Sequence, residues 1–374
     1  MSSYTIFICG GHYAPAIAVI EKLQKEVAGL RLIYIGRRFS FEGDNSLSIE
    51  YRHLRDSPIT FLPIISGRLS RIVSLSSALS LLKIPFGFLQ SLFYIIKYRP
   101  VLVVSFGGYI ALPVAVAAKI TAVPVITHEQ TKVLGLTNRI ISRFARLTCL
   151  TYGSTEKVPR SAKTEVTGLP LRESIIKPRP SSITGFGDPR KPLIYITGGS
   201  AGSSSINKVV LNSLPELLKN YRLLHVTGTA DDCFYYKRLS QYRSRLETKQ
   251  RENYKLLDYL DYKNVGDVLK KARLVISRSG ANSIAELLYF GKYAILIPLP
   301  WAGDYEQQKN AQILKEAGLA VVIDQNDFNN TTLLEAVRKI EKFKKKTVTL
   351  KNSSGLELQA ASVLTGKIME LIGF

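Results

Sequence analysis

Leu274-Val-Ile-Ser-Arg-Ser-Gly-Ala-Asn-Ser-Ile-Ala-Glu286 decides how the rest of the chain is read. Leu274 to Ile276 is the short apolar run a buried strand needs, Ser279-Gly280 makes the turn, and Asn282 to Tyr289 carries a helix that begins at the strand's carboxyl end. Open α/β sheets bind ligands at that edge. The first helical turn offers an anion both backbone N–H groups and a positive dipole end, and Glu286 further along accepts hydrogen bonds from a vicinal diol such as a ribose. A nucleotide suits both ends. The next strand, Tyr293 to Ile297, stops at Pro298, and the loop beyond holds Asp304, Gln307 and Gln308. The two amides donate and accept, as neutral sugar hydroxyls require. Taken alone, the fragment also reads as an ordinary strand-turn-helix with a solvated Glu.

The chain has 374 residues, more than one core of ordinary size holds, and 46% hydrophobic content is enough to bury two. Fifty-one basic against twenty-nine acidic residues give a net charge of +22, which calls for an anionic partner: nucleic acid, a membrane surface or a phosphorylated substrate. Distribution narrows the choice. No acidic residue lies between Asp56 and Glu129, an interval that contains Arg68, Arg71, Lys83, Lys97, Arg99 and Lys119. Nucleic-acid binders interleave basic residues more densely and carry a recognisable module. None is found, so no nucleic-acid partner is expected. Cys9, Cys149 and Cys233 are odd in number and scattered, which argues for small core hydrophobes in a reducing compartment. The N-terminus has no basic n-region, and Tyr4 to Cys9 is too short for a signal peptide, so a cytoplasmic chain is expected.

Working back from the quoted stretch, Leu193-Ile-Tyr-Ile-Thr197 is a strand followed by Gly198-Gly-Ser-Ala-Gly202 and a helix bearing Asn207, again a glycine loop feeding a helix N-terminus. Leu223 to Thr227 and Tyr254 to Asp261 supply further strands. Ile176 to Pro192 is rich in Pro, Ser and Gly without hydrophobic periodicity and reads as a linker. The first half has the same grammar: strand Tyr4 to Cys9, turn Gly10-Gly11-His12, helix Pro15 to Val27, strand Leu30 to Ile35. Val101-Leu-Val-Val-Ser-Phe-Gly-Gly-Tyr109 and Pro124-Val-Ile-Thr-His128-Glu129-Gln130 are two more strand ends, each followed by a helix, the second opened by Gly135-Leu-Thr-Asn138. Ile64 to Tyr98 is apolar and basic. Serines, Lys83 and Pro85 near its centre weigh against a span, and favour one or two helices that bury most of this surface and leave a basic-apolar patch for anionic headgroups. A pure core helix is the alternative. His53 and His225 stand in no motif and read as structural.

Taken together, Gly10-Gly-His12, Gly107-Gly-Tyr109, His128-Glu-Gln130, Val166-Thr-Gly-Leu-Pro-Leu-Arg172, Gly198-Gly-Ser-x-Gly-x4-Asn207 and the stretch Arg278 to Gln308 resemble the MurG-type glycosyltransferases, from Ile6 to about Gly318. The resemblance implies an α/β fold of two Rossmann-like, doubly wound domains facing across a cleft (the GT-B architecture). The domains would be 1–175 for the acceptor and the membrane, a linker at 176–192, 193–354 for the UDP-sugar, and 355–374 returning to the first domain. It implies donor contacts at Gly10, Gly11, Arg172, Ser200, Leu260, Arg278, Ala281, Asn282, Ser283, Ile284, Ala285, Glu286, Gln307 and Gln308. It places Tyr109, His128, Glu129, Thr131 and Asn138 on the acceptor side. The chain departs from the family twice: the first glycine loop is shortened to Gly10-Gly-His12, and Thr131 stands where the family has Asn.

The same resemblance sets His12 near the acceptor hydroxyl, where an imidazole of near-neutral pKa suits proton removal as the oxygen attacks an anomeric carbon. A helix-start histidine with no chemical role is the alternative. No Asp-x-Asp pair occurs to carry Mg²⁺ to the diphosphate, so no metal or other cofactor is expected, and Arg172 with the helix N-termini at Ser200 and Ala281 takes on the neutralising role. The expected function is inverting, metal-independent transfer of N-acetylglucosamine from UDP-GlcNAc to the 4-hydroxyl of a polyprenyl-diphosphate-linked muramyl pentapeptide, in peptidoglycan synthesis, by a peripheral protein on the cytoplasmic membrane face. The alternatives are transfer to another lipid-linked acceptor, a UDP-GlcNAc 2-epimerase-like isomerase, or a sugar-nucleotide-binding protein without turnover.

Overall fold

Runs such as Leu102-Val-Val-Ser and Leu274-Val-Ile-Ser show no alternation of polar and apolar residues, which fits strands covered by helices on both faces of a parallel sheet. In the computed structural model, which describes residues 4–39, 47–65, 75–199, 202–343 and 359–373, without the side chains of 75–84 and 230–232, both of these strands are buried throughout. The strands form two sheets, one of seven and one of six, and the pairings within them are parallel. The chain divides into two units, residues 1–172 with 357–374, and residues 173–356.

Unit 1 runs β1 (Thr5–Cys9), α1 (Tyr13–Glu26), β2 (Arg31–Gly36), α2 (Ile49–Leu54), β3 (Thr60–Pro63), α3 (Leu75–Tyr98), β4 (Leu102–Ser105), α4 (Ala111–Ile120), β5 (Val125–Glu129), α5 (Leu136–Ile141), β6 (Leu147–Leu150) and β7 (Thr164–Val166). The sheet order is β3-β2-β1-β4-β5-β6-β7, so the winding reverses between β1 and β4. Successive β1 residues serve opposite faces. Ile6 and Ile8 join a core with Ile17, Ile20 and Leu23 of α1, while Phe7 and Cys9 join one with Val114, Ala115 and Ala118 of α4.

Helix α3 is one helix, with Pro85 inside it. Ile95 is buried, and Phe88 and Leu92 pack partly buried against the same core as Phe7. Phe86, Leu89, Phe93 and Ile96 are 58–62% exposed. Their spacing of three to four residues sets them along one stripe of the helix. Among the described residues no helix is long and apolar enough to cross a membrane.

Unit 2 runs α6 (Glu173–Ile176), β8 (Leu193–Thr197), α7 (Ser204–Asn220), β9 (Arg222–Val226), α8 (Ala230–Ser244), α9 (Thr248–Glu252), β10 (Tyr254–Leu257), α10 (Tyr262–Lys271), β11 (Leu274–Ser277), α11 (Ala281–Tyr289), β12 (Tyr293–Leu296), α12 (Glu306–Glu316), β13 (Ala320–Val322) and α13 (Asn330–Glu341). Its order, β10-β9-β8-β11-β12-β13, reverses between β8 and β11. The last helix, α14 (Ala360–Ile372), belongs to unit 1. Leu364 and Ile368 fill the α1-side core, and Lys367 Nζ lies 3.0 Å from Glu165 Oε1 on β7.

The stretch 176–192, expected as a linker, is instead fastened to unit 2. Ser181 donates from N and Oγ to Asp267 Oδ2 at 3.1 and 2.9 Å, and the Arg222 guanidinium donates to the carbonyls of Thr184 and Phe186 at 3.2 and 2.9 Å. Polar bonds to α10 and β9 hold it rather than an apolar face, which is why its composition carries no periodicity.

Candidate active site

In unit 1 the carboxyl ends of β1, β4 and β5 carry three loops that touch. Gly10 has φ +131°, and a Cβ there would meet Gly107 O at 2.7 Å, so only glycine lets the first two loops close. Gly11 N then donates to Gly107 O at 2.9 Å, and Tyr34 OH donates to Gly10 O at 2.9 Å. His12 follows directly as the N-cap residue of α1. Its Nδ1 lies 2.6 Å from the Gln130 side-chain amide. Nε2 has no hydrogen-bond partner among the described residues and is not an enclosed atom. Burial lowers the His12 pKa; Glu129 pulls it back up and Arg37 lowers it further. The ring is therefore neutral at neutral pH.

Behind His12, Glu129 organises the third loop. Its Oε1 accepts from Thr131 N and Oγ1 at 3.1 and 2.9 Å, and its Oε2 from Gly135 N and Asn138 Nδ2 at 2.9 and 3.0 Å. Asn138 donates in addition to His128 O at 3.1 Å and accepts from Thr127 Oγ1 at 2.8 Å. His128 Nε2 donates to Gly168 O at 2.9 Å, and its ring packs 5.8 Å from that of Phe106. Its Nδ1 is enclosed without a partner among the described residues, and burial brings its pKa down to about 4.

The expectation that His128, Glu129, Thr131 and Asn138 face an acceptor is corrected here. All four are buried; Glu129, Thr131 and Asn138 bond to one another within the loop and His128 bonds to Gly168 O, because a bend at a strand end leaves main-chain donors that an interior carboxylate must satisfy. Tyr109 is half-buried. Its hydroxyl accepts from Arg37 at 3.3 Å, and Arg37 Nε lies 3.6 Å from Glu50 Oε1, a carboxyl whose pKa burial raises. Arg172 closes the unit, half-buried.

In unit 2 the loops after β8 and β11 flank the reversal point. Gly202 has φ +88°, and a Cβ there would meet Thr227 O at 2.0 Å, so the β8 loop lies directly on the end of β9. Ser200 lies outside the described residues. Asn207 on α7 donates to Thr227 O and accepts from His225, each at 3.0 Å, and His225 Nδ1 lies 3.0 Å from Tyr254 OH. Tyr254 therefore donates to Nδ1, and His225 is a neutral ring whose pKa burial pulls down to about 3. The structural reading of His225 thus gains content, since it backs the glycine loop through Asn207.

Helix α11 starts at Ala281 with Gly280 as N-cap. Ser279 Oγ donates to Gln307 O at 2.8 Å and Asn310 donates to Ser279 O at 3.2 Å, which ties the turn to α12. Gln307 Oε1 accepts from Leu299 N at 3.0 Å. Gln308 Oε1 is enclosed with no partner among the described residues, an acceptor that awaits a donor. Asn282 and Ser283 are half-buried on the first turn; Ala281, Glu286 and Leu260 are 4–8% exposed.

The side chains of three residues expected at the donor are engaged elsewhere. Ile284 and Ala285 are enclosed and serve the interior. Arg278 donates to the carbonyls of Ile297 and Pro298 at 3.0 and 3.4 Å, to Ser205 Oγ at 2.9 Å and to Gln325 Oε1 at 2.6 Å. It braces the β8, β11 and β12 loops through neutral groups, and desolvation lowers its pKa to about 10. Sequence reasoning passed over Gln130, Arg37, Gln325 and Tyr254. Of these only Gln130 carried a signal, its place directly after His128-Glu129.

Residues 9–149 match the glycosyltransferase family 28 N-terminal domain and residues 193–364 its C-terminal domain. Over 354 residues, 92% of both chains, this chain is 32% identical to the UDP-N-acetylglucosamine--N-acetylmuramyl-(pentapeptide) pyrophosphoryl-undecaprenol N-acetylglucosamine transferase of Clostridium perfringens. The enzyme of the same name from Legionella pneumophila is 32% identical over 382 residues, covering 100% of this chain and 97% of that one. Among solved structures, Acinetobacter baumannii MurG has a similar fold with a TM-score of 0.64 at 23% identity, covering 99% of each chain. A UDP-GlcNAc 2-epimerase from Neisseria meningitidis has a TM-score of 0.66 at 16% identity, covering 98% of this chain and 100% of that one. Fold alone does not separate transferase from epimerase; the sequence matches do, and the chain belongs to glycosyltransferase family 28.

Proposed function

We propose that the protein transfers N-acetylglucosamine from UDP-GlcNAc to the 4-hydroxyl of a polyprenyl-diphosphate-linked N-acetylmuramyl pentapeptide, inverting the anomeric centre and using no metal ion. The observation that carries the proposal is a neutral, half-buried His12 at the winding reversal of unit 1, with one ring nitrogen accessible, in a chain so similar to transferases of that name. His12 takes the acceptor's hydroxyl proton, the freed oxygen bonds to the anomeric carbon, and the bond to UDP breaks with its electron pair leaving on the diphosphate. Such base assistance contributes about 10² to 10⁴ in rate. Main-chain N–H groups opening α11 and the Arg172 guanidinium supply positive charge for the departing diphosphate. Gln307, Gln308 and Glu286 suit the hydroxyls of the donor.

The lipid-linked acceptor resides at a membrane, and the exposed stripe of α3 with its basic neighbour Lys97 supports peripheral seating on an anionic surface, on the cytoplasmic face. The test is transfer of labelled N-acetylglucosamine from UDP-GlcNAc to a short-chain lipid acceptor, with and without EDTA. Equal rates in both are expected, with a loss of about 10² to 10⁴ in kcat for His12→Ala and little change in UDP-GlcNAc affinity. Full activity of that variant, or abolition by EDTA, overturns the mechanism. A new sugar nucleotide formed from UDP-GlcNAc alone would establish the epimerase instead.

A further inference from the structure

We propose that Gln130 is the positioning residue for His12: its side-chain carbonyl accepts the proton on Nδ1, so that the lone pair of the neutral ring stands on the accessible Nε2. The inference rests on the reading of His12 as the base. The contact between Nδ1 and the Gln130 amide is 2.6 Å, with the amide nitrogen placed nearer the ring. The nitrogen and oxygen of a glutamine amide exchange places by a half-turn that leaves its shape unchanged. The two orientations have opposite chemical consequences. With the NH₂ toward the ring, Nδ1 must be the acceptor, and the proton of the neutral ring then sits on Nε2. The exposed nitrogen would be a donor and the only lone pair would be engaged by Gln130. With the carbonyl toward the ring, Nδ1–H donates and Nε2 is the base. A separation of 2.6 Å is short even for N–H···O, whose usual range begins near 2.7 Å, and it suits an oxygen better than a second nitrogen.

Gln130 is suited to the task by its setting as well. It is 5% exposed and directly follows Glu129, whose four accepted hydrogen bonds hold the loop in place. An amide also fixes the tautomer without adding charge. The charged and titratable groups around His12 are Glu129 from β5, Arg37 from the end of β2 and, on the other side of Glu129, His128. A carboxylate in place of Gln130 would add to Glu129 and favour the imidazolium, which is useless as a base.

The test compares Gln130→Met, Gln130→Glu and His12→Ala with the unaltered chain, in pH profiles of kcat and kcat/KM for sugar transfer. Gln130→Met keeps the side chain's length but cannot accept the Nδ1 proton. Its kcat is expected to fall about tenfold to a hundredfold with the KM for UDP-GlcNAc little changed, short of the about 10² to 10⁴ for loss of the base. Gln130→Glu can only accept; it should restore the tautomer and move the acid limb of kcat/KM up by about one pH unit or more. Nitrogen-15 spectra of the imidazoles give a readout independent of turnover. The chain has 4 histidines, and the His12 signals, identified by their absence in His12→Ala, should show Nδ1 protonated and Nε2 bare. A protonated Nε2, an unmoved acid limb in Gln130→Glu, or full kcat in Gln130→Met overturns the inference. If His12→Ala is impaired in those cases, the base assignment survives alone; if His12→Ala is fully active, both fall.

Discussion

Glu129 shows what residue type and motif reveal and what they leave out. Its place after His128 at the end of β5 marked it as part of the site, and a carboxylate beside a sugar hydroxyl is a reasonable thought. What no reading of the chain shows is that four donors converge on it from Thr131, Gly135 and Asn138, because that depends on how residues 130–138 turn back. His12 and Gln130 were likewise visible one at a time, while the contact between them joins residues 118 apart in sequence. Glu129→Gln tests the corrected role. The amide brings N–H groups where the loop already presents donors, and a buried donor left without an acceptor costs about 1–3 kcal/mol. Chemical denaturation should show a loss of that order for the variant, with turnover reduced in step; an unchanged midpoint would return Glu129 to the acceptor side.

At the scale of elements, the long apolar runs were legible and the boundaries less so. The strand Leu274 to Ile276 and the helix ending at Tyr289 stand as read, with the strand reaching Ser277 and the helix starting one residue earlier, because Gly280 caps it without a side chain. The segment 176–192 was misjudged because side-chain bonds to main chain leave no period to detect. Helix α3 was ambiguous for the opposite reason: it is apolar almost all round, and hydropathy does not say which stripe finds a partner. Leu92 and Ile95 pack on the α4 side, and Phe86, Leu89, Phe93 and Ile96 are left out. Replacing Phe86 and Phe93 by Ser should not unfold the chain, since both are more than half exposed. Burial of such side chains contributes about 1.5–3 kcal/mol each when complete, so cosedimentation with phosphatidylglycerol vesicles should weaken by about tenfold or more. Undiminished binding would mean that another surface, or net charge alone, seats the protein.

For the whole molecule, each unit encloses one histidine that stays neutral: His128 in unit 1, with its pKa brought down to about 4, and His225 in unit 2, down to about 3. In the unfolded chain both have an ordinary value near 6.5. Above that pH neither state binds the proton and the two histidines leave stability unaffected. Below it the unfolded chain takes up protons that the folded chain refuses, so stability falls as pH drops, by about 1.4 kcal/mol per pH unit for each histidine, until the folded-state values are reached. Most carboxylates, with ordinary values near 4, enter below this window; within it His12, whose pKa burial also lowers, adds to the decline, and Glu50, whose pKa burial raises, opposes it. Urea midpoints should therefore be level between pH 8 and 7 and decline steadily from 6.5 to 4.5, for transitions in both units, because each holds one of the rings in its interior. A midpoint that stays level to pH 4.5 would mean that these rings take up protons in the folded state after all. The hydrogen bond from Tyr254 to His225 Nδ1 would then need a different arrangement, since a protonated Nδ1 cannot accept it.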